Sequence, residues 1–383
     1  MIRICFVTTI YLTYHCFLKS FSQYLQDSGK FDVSLICDEK SVDRADLPAF
    51  IHYYPVRMDR GVSLSALSSI KEIKEIFKRQ KFDIVQYSTP NAAFYASIAS
   101  KSAGIPVRLY CQWGIRYMGF DGWKRSLFKT IEKVTCNNST YVEVESHGIR
   151  NYALSEGLYT DDKSCVIWNG SASGVNLDSY DLSKKNIWRS EVRKELGITD
   201  DAIVFNFAGR MTADKGMNEL LAAFLQIAEK NSNAKLLILG LLDNDGTIRE
   251  DLYRKAKESE QVLLPGSKED VERYYAASDI FVSPSYREGF GLVIVEAEAM
   301  GLPAIASNVP GQVDAIVPGE TGLLCEVKDV ESLKEAMERL LEDAELRIQM
   351  GRAAERYARE CYDQKKLFEK LMEHREVLSE NTN

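Results

Sequence analysis

Segments with the pattern of buried strands alternate with segments of helical pattern along most of the chain. The alternation runs through two rounds, the first beginning at residues 2–8 and the second restarting at residues 202–209. Strands separated by helices pair in parallel, because a helical crossover returns the chain to the same end of the sheet. The sequence therefore predicts an α/β protein with two doubly wound, Rossmann-like parallel-sheet domains.

A stretch rich in Gly, Ser and Asn, WNGSASGVNLDSYDLSKKN, separates the two rounds and is predicted to be the linker. Ligands of open parallel sheets bind beyond the carboxyl ends of the strands. Two such domains facing one another predict a binding site in the cleft between them.

Composition excludes several classes of protein. The chain is 45% hydrophobic and 27% charged, as in globular proteins, and it has no run of about 18 apolar residues that would predict a membrane span. The N-terminal residues lack a small-residue cleavage site, so we interpret them as a first strand rather than a signal peptide. Eight cysteines without a C-x-x-C pair and four scattered histidines indicate no disulfide framework and no metal site, and they favour a cytoplasmic protein.

Charge is distributed unevenly. Residues 1–170 carry 21 Lys and Arg against 17 Asp and Glu, whereas the remainder carries 27 against 39. Residues 64–80 and 123–129 each combine cations with apolar side chains, the former in the stripe Leu64, Leu67, Ile70, Ile73 and Phe77. These segments indicate either peripheral contact with an anionic membrane surface or ordinary helices with a buried stripe, and the second alternative is favoured. Nucleic-acid binding is disfavoured, because the basic half is weakly charged and has no nucleic-acid motif.

Two glutamates eight residues apart, Glu288 and Glu296, flank the start of a helix-like segment that follows the strand-like residues 280–283. Residues at this spacing share a helical face, and the first amides of a helix attract anions, phosphate above all. The amides concerned belong to Gly289, Phe290, Gly291 and Leu292. A phosphate-binding helix end beside two hydroxyl-binding carboxylates predicts a nucleotide-sugar pocket.

Two cations, Arg210 and Lys215, lie on the loop after the first strand of the second round. At a strand's carboxyl end they are suited to neutralise a diphosphate, and an ordinary surface loop is the alternative. The sequence Asp243-Asn244-Asp245 matches the D-x-D metal–diphosphate motif of another architecture, but its position after a strand is typical of a turn. No metal is therefore expected.

In the first round, the loop after the strand PVRLYC carries Gln112, Trp113, Arg116 and Tyr117. Such amides, aromatic rings and guanidinium groups recognise sugars and phosphates, and a packed loop is the equal alternative. Thr9 and His15 follow the first strand, which lacks the G-x-G-x-x-G fingerprint of dinucleotide-binding proteins. They either face the cleft or have surface or core roles.

The segments GRMTADKG, LPGSKEDVERYYAASDIFVSPSYREGFGLVIVEAEAMGLPAIAS and PGQVDAIVPGETGLL resemble the C-terminal domain of the retaining glycosyltransferases of family 4, which have the GT-B fold. The resemblance is strong over roughly residues 200–345 and thinner over 1–170. It implies an N-terminal acceptor domain (1–170), a donor domain (171–359) and a C-terminal helix at about 360–383 that returns to the first domain.

The resemblance also implies roles for residues. Glu288 contacts the donor sugar and Glu296 the nucleotide ribose. Arg210 and Lys215 bind the diphosphate, assisted by the amides from Gly289 to Leu292. No metal or other cofactor is required.

Further implications concern the base and the reacting carbon. Leu264 and its neighbours lie near the base, for which uridine is the commonest choice in the family and guanosine also occurs. Many members have a His where this chain has Gln112. Glutamine cannot act as a general base, so Gln112 would hydrogen-bond the sugar or stabilise positive charge near the anomeric carbon. This suits a front-face substitution in which the departing diphosphate takes the acceptor's proton.

The opening FVTT…FLKSF and the QWGIRY loop resemble members that build capsule, O-antigen or exopolysaccharide units on polyprenyl-diphosphate-linked saccharides at the cytoplasmic face of the membrane. The acceptor is then expected to contact residues of the first domain, namely Thr9, His15, Trp113, Arg116 and Tyr117. The expected function is transfer of a sugar from a nucleotide-diphosphate donor. Two alternatives stand beside it: a GT-B nucleotide-sugar epimerase and a non-catalytic saccharide-binding subunit.

Overall fold

The computed structural model describes residues 1–58, 66–243 and 246–381. The chain forms two compact units: unit 1 comprises Met1–Ser173 and the residues from Lys365 on, and unit 2 comprises Gly174–Gln364. The boundary after Ser173 lies inside the segment predicted to be the linker.

Unit 1 is built on one parallel sheet. Among its described residues, the strands are β1 (Ile2–Val7), β2 (Phe31–Cys37), β3 (His52–Pro55), β4 (Ile84–Tyr87), β5 (Val107–Gln112), β6 (Tyr141–Val144) and β7 (Ser164–Cys165). Their order is β3-β2-β1-β4-β5-β6-β7, and every neighbouring pair is parallel. In the interior strand β1, the residues from Ile4 to Val7 form an apolar run that is fully buried, as expected of a sheet covered on both faces.

The helices that cover this sheet are α1 (Tyr11–Phe17), α2 (Lys19–Asp27), α3 (Ala66–Gln80), α4 (Pro90–Ala103), α5 (Gly122–Asn138) and α6 (His147–Ser155). The stripe of α3 is a core stripe: Ile73 and Phe77 are fully buried, while Leu67 is 76% exposed. Leu64 lies outside the described residues. The alternative of an ordinary helix with a buried stripe therefore holds for α3.

Unit 2 contains the second sheet. Its strands in the described chain are β8 (Ile203–Ala208), β9 (Ala234–Leu239), β10 (Val262–Gly266), β11 (Ile280–Ser283), β12 (Ala304–Ser307) and β13 (Gly322–Cys325). They are again parallel, in the order β10-β9-β8-β11-β12-β13. The two sheets confirm the predicted fold class of two doubly wound, Rossmann-like units.

The helices of unit 2 are α7 (Lys185–Leu196), α8 (Met217–Ala228), α9 (Glu250–Glu258), α10 (Val271–Ala277), α11 (Leu292–Ala299), α12 (Val330–Glu342) and α13 (Ala344–Cys361). One of them buries a carboxyl group: Glu298 on α11 has no exposed surface, and neither of its oxygens has a hydrogen-bond partner in the described chain. Burial raises the pKa of Glu298 well above its ordinary value.

The last helix, α14 (Gln364–Glu380), belongs to unit 1, where Leu367, Phe368 and Leu371 join the core beneath β1. Arg375 of this helix is 1% exposed, and its Nη2 donates to Glu143 Oε1 on β6 and to Gln86 Oε1 on β4, both at 2.9 Å. Burial favours the neutral acid, but Arg375 and His374 outweigh it and lower the pKa of Glu143 to about 2. A buried ion pair thus fastens α14 to the sheet.

The order of each sheet reverses once along the chain, between β1 and β4 in unit 1 and between β8 and β11 in unit 2. At such a point the loops after the two adjacent strands diverge to opposite faces, which opens a crevice at the carboxyl edge. Across the parts of the chain that the structure describes, no helix is both long and apolar enough to cross a lipid bilayer.

Candidate functional site

At the reversal point of unit 2, the loop after β8 meets the loop after β11. Lys215 Nζ on the first loop forms an ion pair with Glu288 Oε1 on the second. The Ser285 hydroxyl donates to the same carboxylate oxygen at 3.0 Å. The side chains of Lys215 and Glu288 remain 25% and 18% exposed, so two residues predicted from separate motifs share one accessible position.

Backbone packing fixes these two loops against each other. Gly216 has φ +72°, and a Cβ at this position would lie 1.9 Å from the Pro284 carbonyl oxygen, so only glycine fits. The Tyr286 amide donates to the Asp214 carbonyl at 2.9 Å, and Arg287 pairs with the Asp214 carboxylate at 3.2 Å. Lys215 and Glu288 are therefore presented by a rigid support.

A third loop, after β12, supports the Glu288 backbone. A Cβ on Gly311, which has φ +94°, would lie 2.5 Å from the Glu288 carbonyl oxygen. The buried Gln312 side chain donates to the Ser283 carbonyl at 3.0 Å and accepts from the Ser307 amide at 3.1 Å. Gly311 and Gln312 were not predicted as site residues, although a Gly-Gln pair just past a predicted strand was a usable signal.

Arg210 lies on the same loop as Lys215 but has a different partner. Its Nη1 is 2.8 Å from Asp243 Oδ2, and the Arg210 side chain is 64% exposed. Asp243 was predicted only as part of a turn; Asn244 and Asp245 lie outside the described residues. Among the described residues, no three His, Cys, Asp or Glu side chains are grouped as metal ligands.

The helix that follows Glu288 does not include the loop residues before Leu292. Gly291, with φ +103°, is the N-cap, and α11 begins at Leu292. Of the four amides predicted to open the helix, only that of Leu292 belongs to it, and the ring of Phe290 is buried against Tyr362 at a centroid distance of 5.1 Å. The prediction that Glu288 and Glu296 share a helical face is wrong, because a left-handed residue separates Glu288 from the helix.

Glu296 lies on α11 and is partly buried beside Tyr180 and Glu272. Burial, with a smaller contribution from the negative charge of Glu272, raises the pKa of Glu296 to about 7, and the Tyr180 hydroxyl works in the opposite direction. Near neutral pH this carboxyl group can thus donate or accept a hydrogen bond. Leu264 lies on the edge strand β10, half-buried against the core of unit 2.

In unit 1, Gln112 is fully buried at the end of β5. Its Nε2 donates to Glu132 Oε1 at 2.6 Å, and its Oε1 accepts from the Tyr159 hydroxyl at 2.8 Å. The Tyr110 hydroxyl also donates to Glu132 at 2.8 Å, and burial raises the pKa of that carboxyl group. Both ends of the Gln112 amide are occupied inside the core, so this geometry gives no support to contact between Gln112 and a sugar.

Thr9 is also engaged within the protein. Its hydroxyl lies 2.8 Å from that of Thr89 and accepts from the Ala92 amide at 3.3 Å, which links the ends of β1 and β4. His15 is exposed on α1, with its ring 6.0 Å from that of Tyr11. Of these two predicted acceptor residues, only His15 presents its side chain to solvent.

The loop after β5 divides in the same way. Tyr117 is fully buried, and the Arg125 guanidinium lies 5.3 Å from the centre of its ring. Trp113 is half-buried on Phe17 at a centroid distance of 5.4 Å. Arg116 is half-buried too, with its guanidinium over another aromatic ring of the unit. Trp113 and Arg116 thus stay partly accessible, whereas Tyr117 is a core residue.

Comparison with known families gives two matches. Residues 189–357 match the family described as glycosyl transferases group 1, and residues 3–146 match the family described as glycosyl transferase 4-like. The first match contains the Lys215–Glu288 pair, and together the two matches cover most of the chain.

Two curated relatives are similar over most of their length. The capsular polysaccharide biosynthesis glycosyltransferase CapM of Staphylococcus aureus is 29% identical over 320 residues, which cover 84% of this chain and 83% of CapM. The UDP-Gal:α-D-GlcNAc-diphosphoundecaprenol α-1,3-galactosyltransferase of Escherichia coli is 28% identical over 340 residues, which cover 85% of this chain and 84% of that enzyme.

Among solved structures, the Anabaena protein HepE in complex with UDP and glucose superposes with a TM-score of 0.79. The superposition covers 98% of this chain and 99% of HepE, and the two sequences are 18% identical. Similarity at this level of identity concerns the fold, and it agrees with two parallel sheets of seven and six strands.

Proposed function

Because the chain belongs to the group 1, family 4-like glycosyltransferases, with the GT-B fold, we propose that it transfers a sugar, with retention of configuration, from a UDP-sugar to a saccharide linked to a polyprenyl diphosphate. It is an enzyme related to those of capsule and undecaprenol-linked saccharide synthesis. The observation that carries the proposal is the pairing of Lys215 with Glu288 at the reversal point of the unit 2 sheet.

The donor would bind by replacing contacts that the protein makes with itself. Phosphate oxygens of the donor would replace Glu288 as the partner of Lys215 and Asp243 as the partner of Arg210. Both carboxylates would then be without their cationic partners. The freed Glu288 carboxylate is then suited to accept hydrogen bonds from sugar hydroxyls. Arginine provides a fork for phosphate oxygens and lysine a point charge.

In the transfer step, negative charge develops on the leaving diphosphate, and Lys215 and Arg210 would stabilise it electrostatically. The departing phosphate oxygen would take the proton of the acceptor hydroxyl, so neither Glu288 nor Glu296 need act as an acid or base. Glu296 would hold the ribose, where a pKa of about 7 lets it donate or accept. The proposal includes no metal, since two side-chain cations supply the positive charge.

The acceptor is proposed from the relatives. The name of the Escherichia coli enzyme states a UDP-Gal donor and a diphosphoundecaprenol-linked acceptor, and HepE was solved with UDP and glucose. Of the residues predicted for the acceptor, His15, Trp113 and Arg116 are the accessible ones. A polyprenyl chain lies in a bilayer, so its saccharide is met at a membrane surface. All eight cysteines are free thiols, as expected in a reducing cytoplasm. We therefore propose that the enzyme acts at the cytoplasmic face of the plasma membrane, in peripheral contact with it.

A thermal-shift panel tests the donor. Ligand bound to the folded state stabilises it by about 2.7 kcal/mol at a hundredfold excess over Kd. We expect UDP and one UDP-sugar to raise the melting temperature, with or without EDTA, and GDP-sugars to have little effect. A rise only with GDP-sugars would reassign the base, and a rise only with added Mg²⁺ would refute metal independence.

A transfer assay tests the reaction and separates the alternatives. The enzyme is incubated with the stabilising UDP-sugar, with and without a synthetic polyprenyl-diphosphate saccharide, and the products are analysed by NMR. We expect an α-linked product only when acceptor is present. Conversion of the sugar nucleotide alone would identify an epimerase, and donor binding without turnover on any acceptor would identify a saccharide-binding subunit.

A further inference from the structure

Helix α5 of unit 1 exposes large apolar side chains. Trp123 is 72% exposed and Leu127 is 41% exposed. With Thr130 and Val134 they occur at intervals of three or four residues, so the four form one ridge along the helix. We call Trp123, Leu127, Thr130 and Val134 the α5 ridge.

The fold of unit 1 does not need this ridge. The opposite face of α5 packs inward, with Glu132, Thr135 and Cys136 buried. Phe128 also turns inward, stacked on Phe120 at a centroid distance of 5.0 Å and covered by the Arg116 guanidinium at 4.5 Å. The helix is thus held by one face while the ridge points to solvent.

Within helix α5 the exposed charge has one sign, and the exposed Asp121 precedes it at the N-cap. Lys124 and Lys133 are exposed, and at 100° per residue they lie on opposite flanks of the ridge. Neither lies within ion-pair distance of a carboxylate in the described chain. The single acidic residue of α5, Glu132, is buried. An apolar ridge with a tryptophan, flanked by cations and without exposed carboxylates, complements an anionic lipid surface.

Helix α3 shows the contrast. Ile73 and Phe77 of its apolar stripe are buried while Leu67 is exposed, and its exposed face mixes cations with carboxylates, namely Lys71, Lys78 and Arg79 with Glu72 and Glu75. An anionic lipid surface would repel the exposed carboxylates of this face, whereas α5 exposes no carboxylate of its own. Of the two segments that the sequence marked as membrane candidates, the structure favours α5.

We propose that the α5 ridge docks unit 1 on an anionic membrane surface, Trp123 and Leu127 entering the headgroup region while Lys124 and Lys133 contact lipid phosphates. Helix α5 follows the loop of Trp113 and Arg116, so docking would hold that loop near the bilayer. The inference rests on the proposed function in one respect: a polyprenyl-linked acceptor must be met at a membrane.

Vesicle sedimentation tests the ridge directly. The full-length protein is spun with vesicles of neutral phosphatidylcholine alone or with added phosphatidylglycerol. We expect binding to the anionic vesicles and release at high salt, because salt screens lipid–lysine attraction. The variant Trp123→Ser/Leu127→Ser should bind about tenfold or more weakly, and Lys124→Gln and Lys133→Gln about fivefold weaker each.

Matched controls come from the same chain. Ile187→Ser/Ile348→Ser removes two side chains of similar exposure, 59% and 54%, from unit 2, and Lys71→Gln/Lys78→Gln removes two exposed charges from α3. Both should bind vesicles like the parent. The proposal would be overturned if the parent did not bind anionic vesicles, or if the ridge variant bound them equally well. In the second case the α5 ridge would be assigned to contact with a protein partner instead.

An activity measurement separates this proposal from the proposed function. The ridge variant should keep the parent's rate on a soluble, short-chain acceptor and lose rate on a long-chain acceptor embedded in anionic vesicles. Vesicle binding without transfer to any acceptor would refute the proposed function and leave the docking surface standing. Equal rates on the embedded acceptor would overturn the docking role even with the transferase confirmed.

Discussion

At the carboxyl edge of unit 2, Lys215 and Glu288 meet on loops and keep part of their surface exposed. At the corresponding edge of unit 1, Gln112 is buried with both ends of its amide occupied by Glu132 and Tyr159. The two sheets share one architecture and polar groups pair at both edges, but Gln112 is paired inside the core of unit 1, whereas the Lys215–Glu288 pair of unit 2 stays accessible to solvent. Position at the edge of a sheet therefore identifies a candidate, and accessibility decides whether it can bind.

Buried carboxyl groups differ between the units as well. Glu143 in unit 1 lies against Arg375 and has its pKa lowered, whereas Glu298 in unit 2 has no hydrogen-bond partner among the described residues and has its pKa raised. This contrast leads to a simple expectation. Substitutions at polar sites of unit 1 should change stability, and those at the edge of unit 2 should change activity.

The largest effect is expected at Lys215. Lys215→Ala removes a cation that would stabilise the leaving diphosphate, so kcat/KM should fall by about 100- to 1000-fold with little change in melting temperature. Glu288→Gln should also lower kcat/KM. Lys235→Ala, on β9 of the same unit, is the matched control and should keep the parent's rate. Unchanged turnover in Lys215→Ala would contradict the view that the carboxyl edge of the unit 2 sheet serves activity while that of unit 1 serves stability.

The next effect concerns Glu143. Because its folded pKa is lowered from 4.5 to about 2, the pair contributes stability that is complete above about pH 4.5 and lost as the pH falls toward 2, about 3 kcal/mol in all. Glu143→Gln leaves Arg375 buried without a counter-charge and should cost about 3–5 kcal/mol at pH 7.

Calorimetric unfolding from pH 2 to 7 checks this expectation. The Glu143→Gln variant should be less stable at pH 7 and should lose less stability than the parent on acidification. Glu75→Gln, which removes an exposed ion pair with Lys78, serves as the control. If the free energy of unfolding of Glu143→Gln fell with decreasing pH as steeply as that of the parent, the acid sensitivity would belong to other groups.

Gln112 provides a sharper test of the comparison. Gln112→Ala leaves the buried Tyr159 hydroxyl without its acceptor and removes one of the two donors to Glu132, so it should cost about 1–3 kcal/mol. The rate per folded molecule, measured well below the melting temperature, should stay close to that of the parent. A large loss of kcat with an unchanged melting temperature would show that Gln112 reaches the sugar after all.

The smallest effect is expected at Glu298, where substitution should raise stability instead of lowering it. The folded state holds the proton of Glu298 more tightly than the unfolded state, so this group costs stability increasingly as the pH rises above its ordinary pKa. Glu298→Gln should match the parent near pH 4 and become more stable than the parent as the pH rises toward 8, because the amide has no charge to bury. Parallel stability curves across this range would refute a buried, protonated carboxyl group.

The fold was largely predictable, because strand and helix periodicities are local signals. What escaped prediction depended on backbone detail. The sequence of residues 15–29 has the pattern of a single helix, but the chain forms α1 and α2, which are separated at Leu18 with φ −120°. Gly291 at φ +103° likewise keeps Glu288 out of α11, so Glu288 and Glu296 do not share a helical face. Neither dihedral angle follows from an apolar pattern.

Among the predicted site residues, Lys215 and Glu288 could be assigned to one edge of the sheet because each lies beside a predicted strand end. The inward orientation of Gln112 depends on partners 20 and 47 residues away in sequence, Glu132 and Tyr159. A one-dimensional pattern shows which residues reach an edge of the sheet. It does not show which of them turn inward, since that depends on contacts between distant segments.

The attachment of α14 has a consequence for biosynthesis. Glu143 and Arg375 are 232 residues apart, which the ribosome covers in roughly 10–50 s at about 5–20 residues per second. During that interval unit 1 lacks the guanidinium that neutralises its buried acid, while all of unit 2 has been synthesised. The first unit to emerge is thus the last to be completed. Nascent chains that stop short of Arg375 would keep an uncompensated acid in an open core, a mark by which proteases can recognise and remove unfinished copies.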